Sequence, residues 1–221
     1  MSSSPAPGPD DGAARFEPES ARVVRIVREQ IVDGAREPGS RLVERDLAAE
    51  LGVSRIPVRD ALRELVAEGL VTPRPRSWAV VRTFSRADVA HLLQVREVLE
   101  PLHFGLAAAR RSPEQLAALT EAWEREDAAA RAGDGPAARR AGADFHERAV
   151  AAAGNPVLAE LHGVTASRVR WLLGQHTDLA AMADEHRGLL DAVRDGDAEA
   201  ATRLAREHLR TSRAAATERR A

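Results

Sequence analysis

The chain has 221 residues, a formal net charge of −2 and no cysteine, so two modest domains fit, whereas disulfides, thiolate metal sites and cysteine nucleophiles are excluded. The nearly balanced charge excludes a protein that coats nucleic acid through bulk charge alone. No stretch approaches the roughly 20 apolar residues of a membrane span, and none resembles a secretion signal, so we expect a cytoplasmic protein without a membrane segment.

The N-terminal region is predicted to be a disordered tail followed by one helix. Residues 1–14 are rich in Pro, Ser, Gly and Asp and offer nothing to bury. From Pro18 to Gly34 apolar residues recur at helical spacing, which predicts an amphipathic helix that the glycine ends.

The stretch from Ser40 to Arg82 has the pattern of a helix-turn-helix. A helix from Glu44 to Glu50 precedes Gly52, which permits a tight turn. Ser54 is a good N-cap for a second helix that begins at Arg55. The apolar face of this second helix is formed by Val58, Ala61, Leu62 and Leu65.

Two β-prone pieces follow the second helix. Val71–Thr72 and Ala79–Val81 flank the sequence RPRS, which predicts a two-stranded wing. Residues 15–83 are therefore predicted to form a winged helix-turn-helix domain that binds DNA.

Arg55, Arg59 and Arg63 form a stripe opposite the apolar face of the second helix. A recognition helix enters the major groove by its N-terminal end, so the first two arginines are the best placed to reach guanine. The alternative is a solvated face paired with Asp60 and Glu64, and we favour this alternative for Arg63.

The string PGSRLVERDLAAELGVSRIPVRDALRELVAEGLV resembles the DNA-binding domain of the GntR family of bacterial transcription regulators. The resemblance covers roughly sixty residues and implies that Arg45, Arg55 and Arg59 contact DNA while Ser54 and neighbouring backbone N–H groups hold phosphate.

The chain departs from this family at the tip of the wing. The family usually carries glycine there, whereas this chain reads Arg76-Ser77-Trp78-Ala79. Two expectations follow: a contact of the wing with DNA through Arg76, or packing of Trp78 against the domain.

From residue 84 to residue 221 the sequence predicts an antiparallel all-helical bundle, which makes the protein mainly α. Ser85 and Asp88 predict a capping box at the start. Pro101 predicts a kink or break in the first helix. Helices are predicted over residues 86–110, 113–132, 136–153, 156–176, 178–195 and 198–217.

Three histidines lie on apolar stripes of three bundle helices: His146, His186 and His208. His186 is ten residues before Gly196, and His208 is ten residues after Ala198, where the return helix starts. At about 1.5 Å per residue, both imidazoles reach the same level. Such convergence predicts a metal site or a polar cluster around a ligand, and the alternative is three separate core histidines. The others, His91, His103, His162 and His176, are interpreted as surface or packing residues.

The segments FHERAVAAAGNPVL, DEHRGLLDAVRDGDAEAA and REHL resemble the FCD ligand-sensing domain of the FadR-type branch of the same family. The resemblance implies a divalent metal such as Zn²⁺, held by these three histidines and an Asp one helical turn before the first, that binds a carboxylate effector. Gly142 stands where the Asp is expected, and Asp144 lies on another face. We therefore expect either a three-histidine site completed by water or effector, or a metal-free site. The resemblance also implies a homodimer formed by this domain.

Three further residues are candidates for binding the effector, which is expected to be a small organic acid. Arg96 and Glu100 lie one turn apart and either line the cavity or form an internal pair. Arg168 shares a stripe with Leu161, Val164 and Leu172.

The leading functional hypothesis is an effector-responsive regulator, a repressor rather than an enzyme, that binds a short pseudo-palindromic DNA operator as a homodimer. One alternative is a metal-dependent hydrolase built on the three histidines and fused to a DNA-targeting head, although a general base beside them is missing. An architectural DNA protein without a ligand is the other alternative.

Overall fold

The protein is mainly helical, with a winged helix-turn-helix followed by an all-helical bundle, as predicted. A computed structural model describes residues 17–74 and 78–218, with the backbone alone for residues 78 and 214–218. In chain order the elements are α1 (Glu19–Val32), β1 (Arg41–Val43), α2 (Glu44–Leu51), α3 (Arg55–Ala67), β2 (Val71–Arg74), β3 (Trp78–Val81), α4 (Arg86–Arg110), α5 (Pro113–Arg131), α6 (Gly135–Ala152), α7 (Pro156–Leu173), α8 (Leu179–Asp195) and α9 (Ala198–Glu218).

The helix-turn-helix forms because α2 ends at Gly52, whose φ of +66° lies in the left-handed region that glycine adopts without strain. Ser54 occupies the N-cap position of α3, but its hydroxyl makes no capping hydrogen bond. The predicted apolar face of α3 is buried against α1. These three helices therefore enclose one apolar core.

The sheet has three strands where two were predicted. Short β1 pairs antiparallel with β3, with Leu42 opposite Ala79, and gives the strand order β1-β3-β2. Leu42 is completely buried, so one apolar side chain anchors a strand that is too short to show alternation in the sequence. The predictions for Arg76 and for the side chain of Trp78 lie outside the described residues.

Helix α4 opens with the predicted capping box: Ser85 Oγ accepts from the backbone N–H of Asp88, whose carboxylate accepts from the backbone N–H of Ser85. Of the predicted kink or break at Pro101, the break is wrong, because α4 is continuous through this residue. Helix α9 packs closely along this part of α4, where Thr202 Oγ1 would lie 2.5 Å from a β-carbon built at Gly105. Packing against a neighbouring helix thus supports α4 just after the proline.

The apolar core of the DNA-binding part extends into the bundle. It includes Phe84 and the C-terminal part of α7, and the Phe84 ring stacks on Trp171 with ring centroids 4.1 Å apart. Helix α7 ends at Leu173, three residues before the predicted end, where a β-carbon at Gly174 would lie 3.0 Å from the carbonyl oxygen of Val32. The last residue of α1 thus lies against the position at which α7 ends.

Two polar contacts cross the same junction. Arg140 on α6 donates to Asp33 at 2.6 Å, and the Ser167 hydroxyl on α7 donates to Glu68 at 2.6 Å. A second apolar core lies among α4, α5, α6, α8 and α9. Within the described part of the chain, no helix combines the length and the apolar character that crossing a membrane requires.

Candidate DNA-binding surface and histidine centre

Arg55 and Arg59 lie at the N-terminal end of α3, where their side chains are about half exposed. Both donate to the carboxylate of Glu44, which is the first residue of α2. Arg55 Nη2 lies 3.3 Å from Glu44 Oε2, while Arg59 binds both oxygens, with Nε at 3.1 Å and Nη2 at 3.0 Å. A guanidinium carries five N–H donors, so these bonds use only part of its capacity.

Glu44 was not identified from the sequence, although a signal was present. It shares a helical face with Leu47 and Ala48, so it lies on a line of core residues and is buried. The hydrogen bond from Arg59 lowers the pKa of Glu44 from its ordinary value of 4.5, which keeps the carboxylate ionised at neutral pH. Glu44 therefore fixes the direction in which the side chains of both arginines project from the protein surface.

The neighbouring side chains differ in what they offer to DNA. Arg45 is 82% exposed and paired with Asp46, and Ser54 is exposed. Arg63 is also exposed and paired with Asp60, which matches the solvated role expected for it. Ile56, next to Arg55, is 71% exposed, so the tip of α3 also presents an apolar group of the kind that contacts thymine methyl groups.

The structure brings His146, His186 and His208 together from α6, α8 and α9. All three are buried, and one ring nitrogen from each lies within 4.8 Å of the others. The Nε2 atoms of His146 and His186 are 3.1 Å apart. His208 Nε2 is buried and has no hydrogen-bond partner among the residues that the structure describes.

A carboxylate lies on the Nδ1 side of each of the three imidazoles. His186 Nδ1 is 2.6 Å from Glu126 Oε2, His208 Nδ1 is 2.7 Å from Glu185 Oε2, and His146 Nδ1 is 3.6 Å from Glu100 Oε2. These glutamates come from α5, α8 and α4 respectively. Carboxylates behind histidine ligands orient the rings and raise the basicity of the opposite nitrogen, so this arrangement directs Nε2 atoms towards one centre.

The protonation of the centre suits a cation. Burial, followed by the neighbouring imidazoles, lowers the pKa of His146 and of His208 well below 6.5, so both rings are neutral at pH 7. Neutral imidazole is the form that binds metal ions. Three converging imidazole nitrogens, with carboxylates behind them, fit a divalent metal such as Zn²⁺. Because Glu126 and Glu185 bind the far sides of the rings, neither is a general base at the centre.

Arg96 and Glu100 form the internal pair that was one of the two alternatives, and the pair is buried. Arg96 donates from Nε to Glu100 Oε1 and from Nη2 to Glu100 Oε2, the latter at 3.1 Å. The remaining nitrogen, Arg96 Nη1, has no hydrogen-bond partner among the described residues. The pair therefore keeps one buried donor available beside the histidine centre, since Glu100 also faces His146.

Arg168 lies away from the bundle interior, contrary to the prediction. Its guanidinium packs over Gly69 of the DNA-binding part and donates to the carbonyl of Val164 at 2.7 Å. Leu161 and Val164, which share its stripe, are 52% and 64% exposed. The N-terminal part of the stripe therefore faces outwards, whereas Leu172 at its other end is buried in the core of the DNA-binding part.

Several buried polar atoms of the bundle are without a hydrogen-bond partner in the described part of the chain. They are Arg96 Nη1, His103 Nε2, His146 Nδ1, His162 Nε2, His208 Nε2 and Ser212 Oγ, together with Arg168 Nε at the junction with the DNA-binding part. Most buried polar groups in proteins are hydrogen-bonded, so such a concentration indicates an interior that accepts water or a polar ligand.

The burial of His103 in this interior can be tested by the pH dependence of the free energy of unfolding. Burial and the nearby His162 lower the pKa of His103 from 6.5 to about 4, so the folded protein keeps it neutral where the unfolded chain is protonated. Its contribution to stability is complete above pH 6.5 and is lost as the pH falls from 6.5 to about 4. Urea unfolding of the chelator-treated protein should show that His103→Gln removes up to about 3 kcal/mol of this acid-induced loss. The same change at exposed His91 should leave the pH profile unaltered, and an identical effect of both variants would contradict the assignment.

Comparison with known proteins gives a consistent result for both parts of the chain. Residues 19–81 match the family described as "Bacterial regulatory proteins, gntR family", and residues 91–211 match the FCD domain. The chain is 30% identical over 183 residues, 81% of its length and 80% of the relative's, to a "Probable D-xylose utilization operon transcriptional repressor" of Paenarthrobacter nicotinovorans. It is 28% identical over 210 residues, 83% of its length and 90% of the relative's, to the galactonate operon transcriptional repressor of Escherichia coli K12. Among solved structures, E. coli McbR/YncC has the same fold, with a TM-score of 0.83 at 24% identity over 93% of this chain and 100% of that one.

Proposed function

Since the chain belongs to the GntR family of bacterial transcription regulators and carries an FCD domain, we propose that it is an effector-responsive repressor that binds its operator as a homodimer. Membership of this family makes it a DNA-binding transcription regulator, a class that is not enzymatic. Repression is supported by the names of two relatives. As a regulator of a bacterial chromosome, it acts in the cytoplasm.

In this proposal the N-terminal end of α3 contacts the bases of the operator. The observation that supports it is the shared carboxylate of Glu44, which holds Arg55 and Arg59 side by side at a half-exposed helix end. Each guanidinium can form a fork to O6 and N7 of a guanine in the major groove. Arg45, Ser54 and, on the wing, Arg76 contribute contacts to the DNA backbone in this proposal.

The homodimer forms through two apolar stripes on the outside of the bundle. Val95, Val98 and Leu102 of α4 are 42%, 71% and 47% exposed, and Val157, Leu161 and Val164 of α7 are 64%, 52% and 64% exposed. Helices α4 and α7 pack together where His103 contacts His162, so the two stripes lie side by side. A second copy of the chain is the partner that explains this exposed apolar face, because two DNA-binding domains recognise enough base pairs for useful specificity.

The ligand site is the histidine centre. His146, His186 and His208 would hold a divalent cation, which supplies positive charge for binding an anionic group. Arg96 Nη1 adds a buried donor from α4, so a small organic acid is the effector class that suits both. The relative that controls a galactonate operon is named after such an acid, which supports this choice.

Helices α6 and α7 would transmit the state of this site to DNA. Helix α6 carries His146 and, through Arg140, contacts Asp33 at the end of α1. The end of α7 packs inside the core of the DNA-binding part. An effector that favours one position of α6 would therefore favour one spacing of the two DNA-binding domains in the dimer. This requires that the effector binds the two arrangements of the dimer with different affinity.

The proposal is tested by selection from a pool of random-sequence DNA duplexes with the purified full chain. We expect enrichment of a pseudo-palindrome whose half-sites lie about one helical turn apart. Val98→Asp should place charges in the dimer interface, convert the protein to a monomer in sedimentation experiments and weaken operator binding at least 10-fold.

Ala117→Asp, at an exposed position of α5, is the matched control and should remain dimeric with normal operator binding. A dimeric Val98→Asp protein would contradict the proposed interface. Enrichment of no sequence by the wild-type chain would contradict operator recognition.

A further inference from the structure

A buried glutamate from a neighbouring helix fills the space beside Gly142. This glycine lies one helical turn before His146 on α6 and is itself buried. A β-carbon built there would lie 3.1 Å from Glu126 Cδ and 2.6 Å from Glu126 Oε1, and the second distance is shorter than real β-carbons show. Helix α5 packs along α6, so Glu126 enters from the side. The observed position of this carboxylate therefore requires glycine at 142, and any larger residue would displace it.

The other oxygen of Glu126 determines the orientation of His186. Glu126 Oε2 lies 2.6 Å from His186 Nδ1, and His186 Nε2 lies 3.1 Å from His146 Nε2. In the tautomer that donates from Nδ1 to the carboxylate, His186 presents the lone pair of Nε2 to the centre. The carboxylate thus acts on the centre through the imidazole.

Glu126 is buried and has few polar partners. The residue is 2% exposed, and within the described part of the chain His186 is the only basic side chain in contact with its carboxyl group. Buried Glu100, in contrast, is bound by Arg96. Buried carboxylates are stabilised by nearby cations, and a divalent cation at the histidine centre would lie across the ring of His186 from this one.

We propose that Glu126 is the positioning carboxylate of the cation site in this chain, admitted by Gly142 and acting through His186. The inference rests on the proposed histidine centre. The resemblance to the FCD domain implies instead an Asp ligand at the position of Gly142. Here the carboxylate comes from α5 and stays behind the ring, so the cation is held by three neutral nitrogens and keeps more of its charge for an anionic effector.

The experiment exchanges the carboxylate between the two helices. Full-length protein is freed of metal with a chelator, and the affinity for Zn²⁺ is measured by competition with a chromophoric chelator. We expect Glu126→Ala to weaken binding about 10- to 100-fold, the range for loss of such a partner. Glu126→Gln should lose less, because its amide oxygen still accepts from Nδ1. Gly142→Asp alone should bind weakly, because the added side chain collides with Glu126.

The double variant Gly142→Asp with Glu126→Ala is the decisive arm. It removes the collision and returns a carboxylate to α6, so we expect Zn²⁺ affinity within about 10-fold of the wild-type value. The visible spectrum of bound Co²⁺ should differ from that of the wild-type protein, because an oxygen joins the three nitrogens. Glu124→Gln, exposed on the same helix, is the matched control and should change neither quantity.

The outcomes separate this inference from the site on which it rests. Wild-type protein that takes up neither Zn²⁺ nor Co²⁺ would overturn the metal site and the role of Glu126 with it. Wild-type uptake with unchanged affinity in Glu126→Ala, or a double variant no better than Gly142→Asp, would overturn the role of Glu126 and leave the metal site in place.

Discussion

Replacing Arg55 by alanine is expected to abolish specific recognition of the operator. A guanidinium fork to guanine contributes about 1–3 kcal/mol of discrimination, and a homodimer loses two of them, so the affinity should fall roughly 30-fold to more than 10,000-fold. The measurement is fluorescence anisotropy with the selected duplex at fixed salt. Affinity for an unrelated duplex should change much less, because phosphate contacts supply most of that binding.

Arg63→Ala is the matched control for Arg55→Ala. Arg63 lies on the same helix, is 74% exposed and is paired with Asp60 rather than Glu44, so its loss should change operator affinity less than about 5-fold. Equal losses of operator affinity in the two variants would mean that α3 contributes to DNA binding through its positive charge alone. An Arg55→Ala protein with normal affinity would exclude Arg55 from base recognition.

Replacing His208 by alanine is expected to eliminate high-affinity Zn²⁺ binding. The change removes one of three nitrogens from the centre, so the affinity should fall by more than the roughly 100-fold caused by loss of an outer partner. Wild-type protein should gain about 2.7 kcal/mol of stability in Zn²⁺ at 100 times its Kd, and the variant at the same concentration should gain almost nothing. Thermal unfolding with and without Zn²⁺ measures both values.

The control for His208→Ala is the same change at His91, which is exposed on α4 and should leave stabilisation by Zn²⁺ intact. Stabilisation of His208→Ala as large as that of the wild-type protein would exclude His208 as a ligand. In that case the convergence of the three rings would be a feature of core packing alone.

The parts of the fold that follow local rules were predictable from the sequence. Gly52, the Ser85 capping box and the helix borders each depend on residues within a few positions of one another. The meeting of His186 and His208 was predictable for a related reason, since two arms of equal length from one tight turn at Gly196 bring both residues to one level.

Features that depend on contacts between distant elements were missed. Glu126 orients His186 because α5 packs beside α6, and β1 exists because Leu42 reaches a core built elsewhere in the chain. The position of Arg168 was missed because exposed Leu161 and Val164 continue the same sequence pattern as Leu172, which is buried. One signal was available: both Glu44 and Glu126 are charged residues on a line of core positions.

The stacking of Trp171 on Phe84 has a consequence for attempts to engineer this regulator. Because the last residues of α7 complete the core around α1–α3, the first 83 residues are not an autonomous module that can be transplanted onto another sensor. A chimera joined at Thr83 would expose the apolar surface that Trp171 and Leu172 cover. A functional chimera would have to include the C-terminal turns of α7 together with the DNA-binding domain.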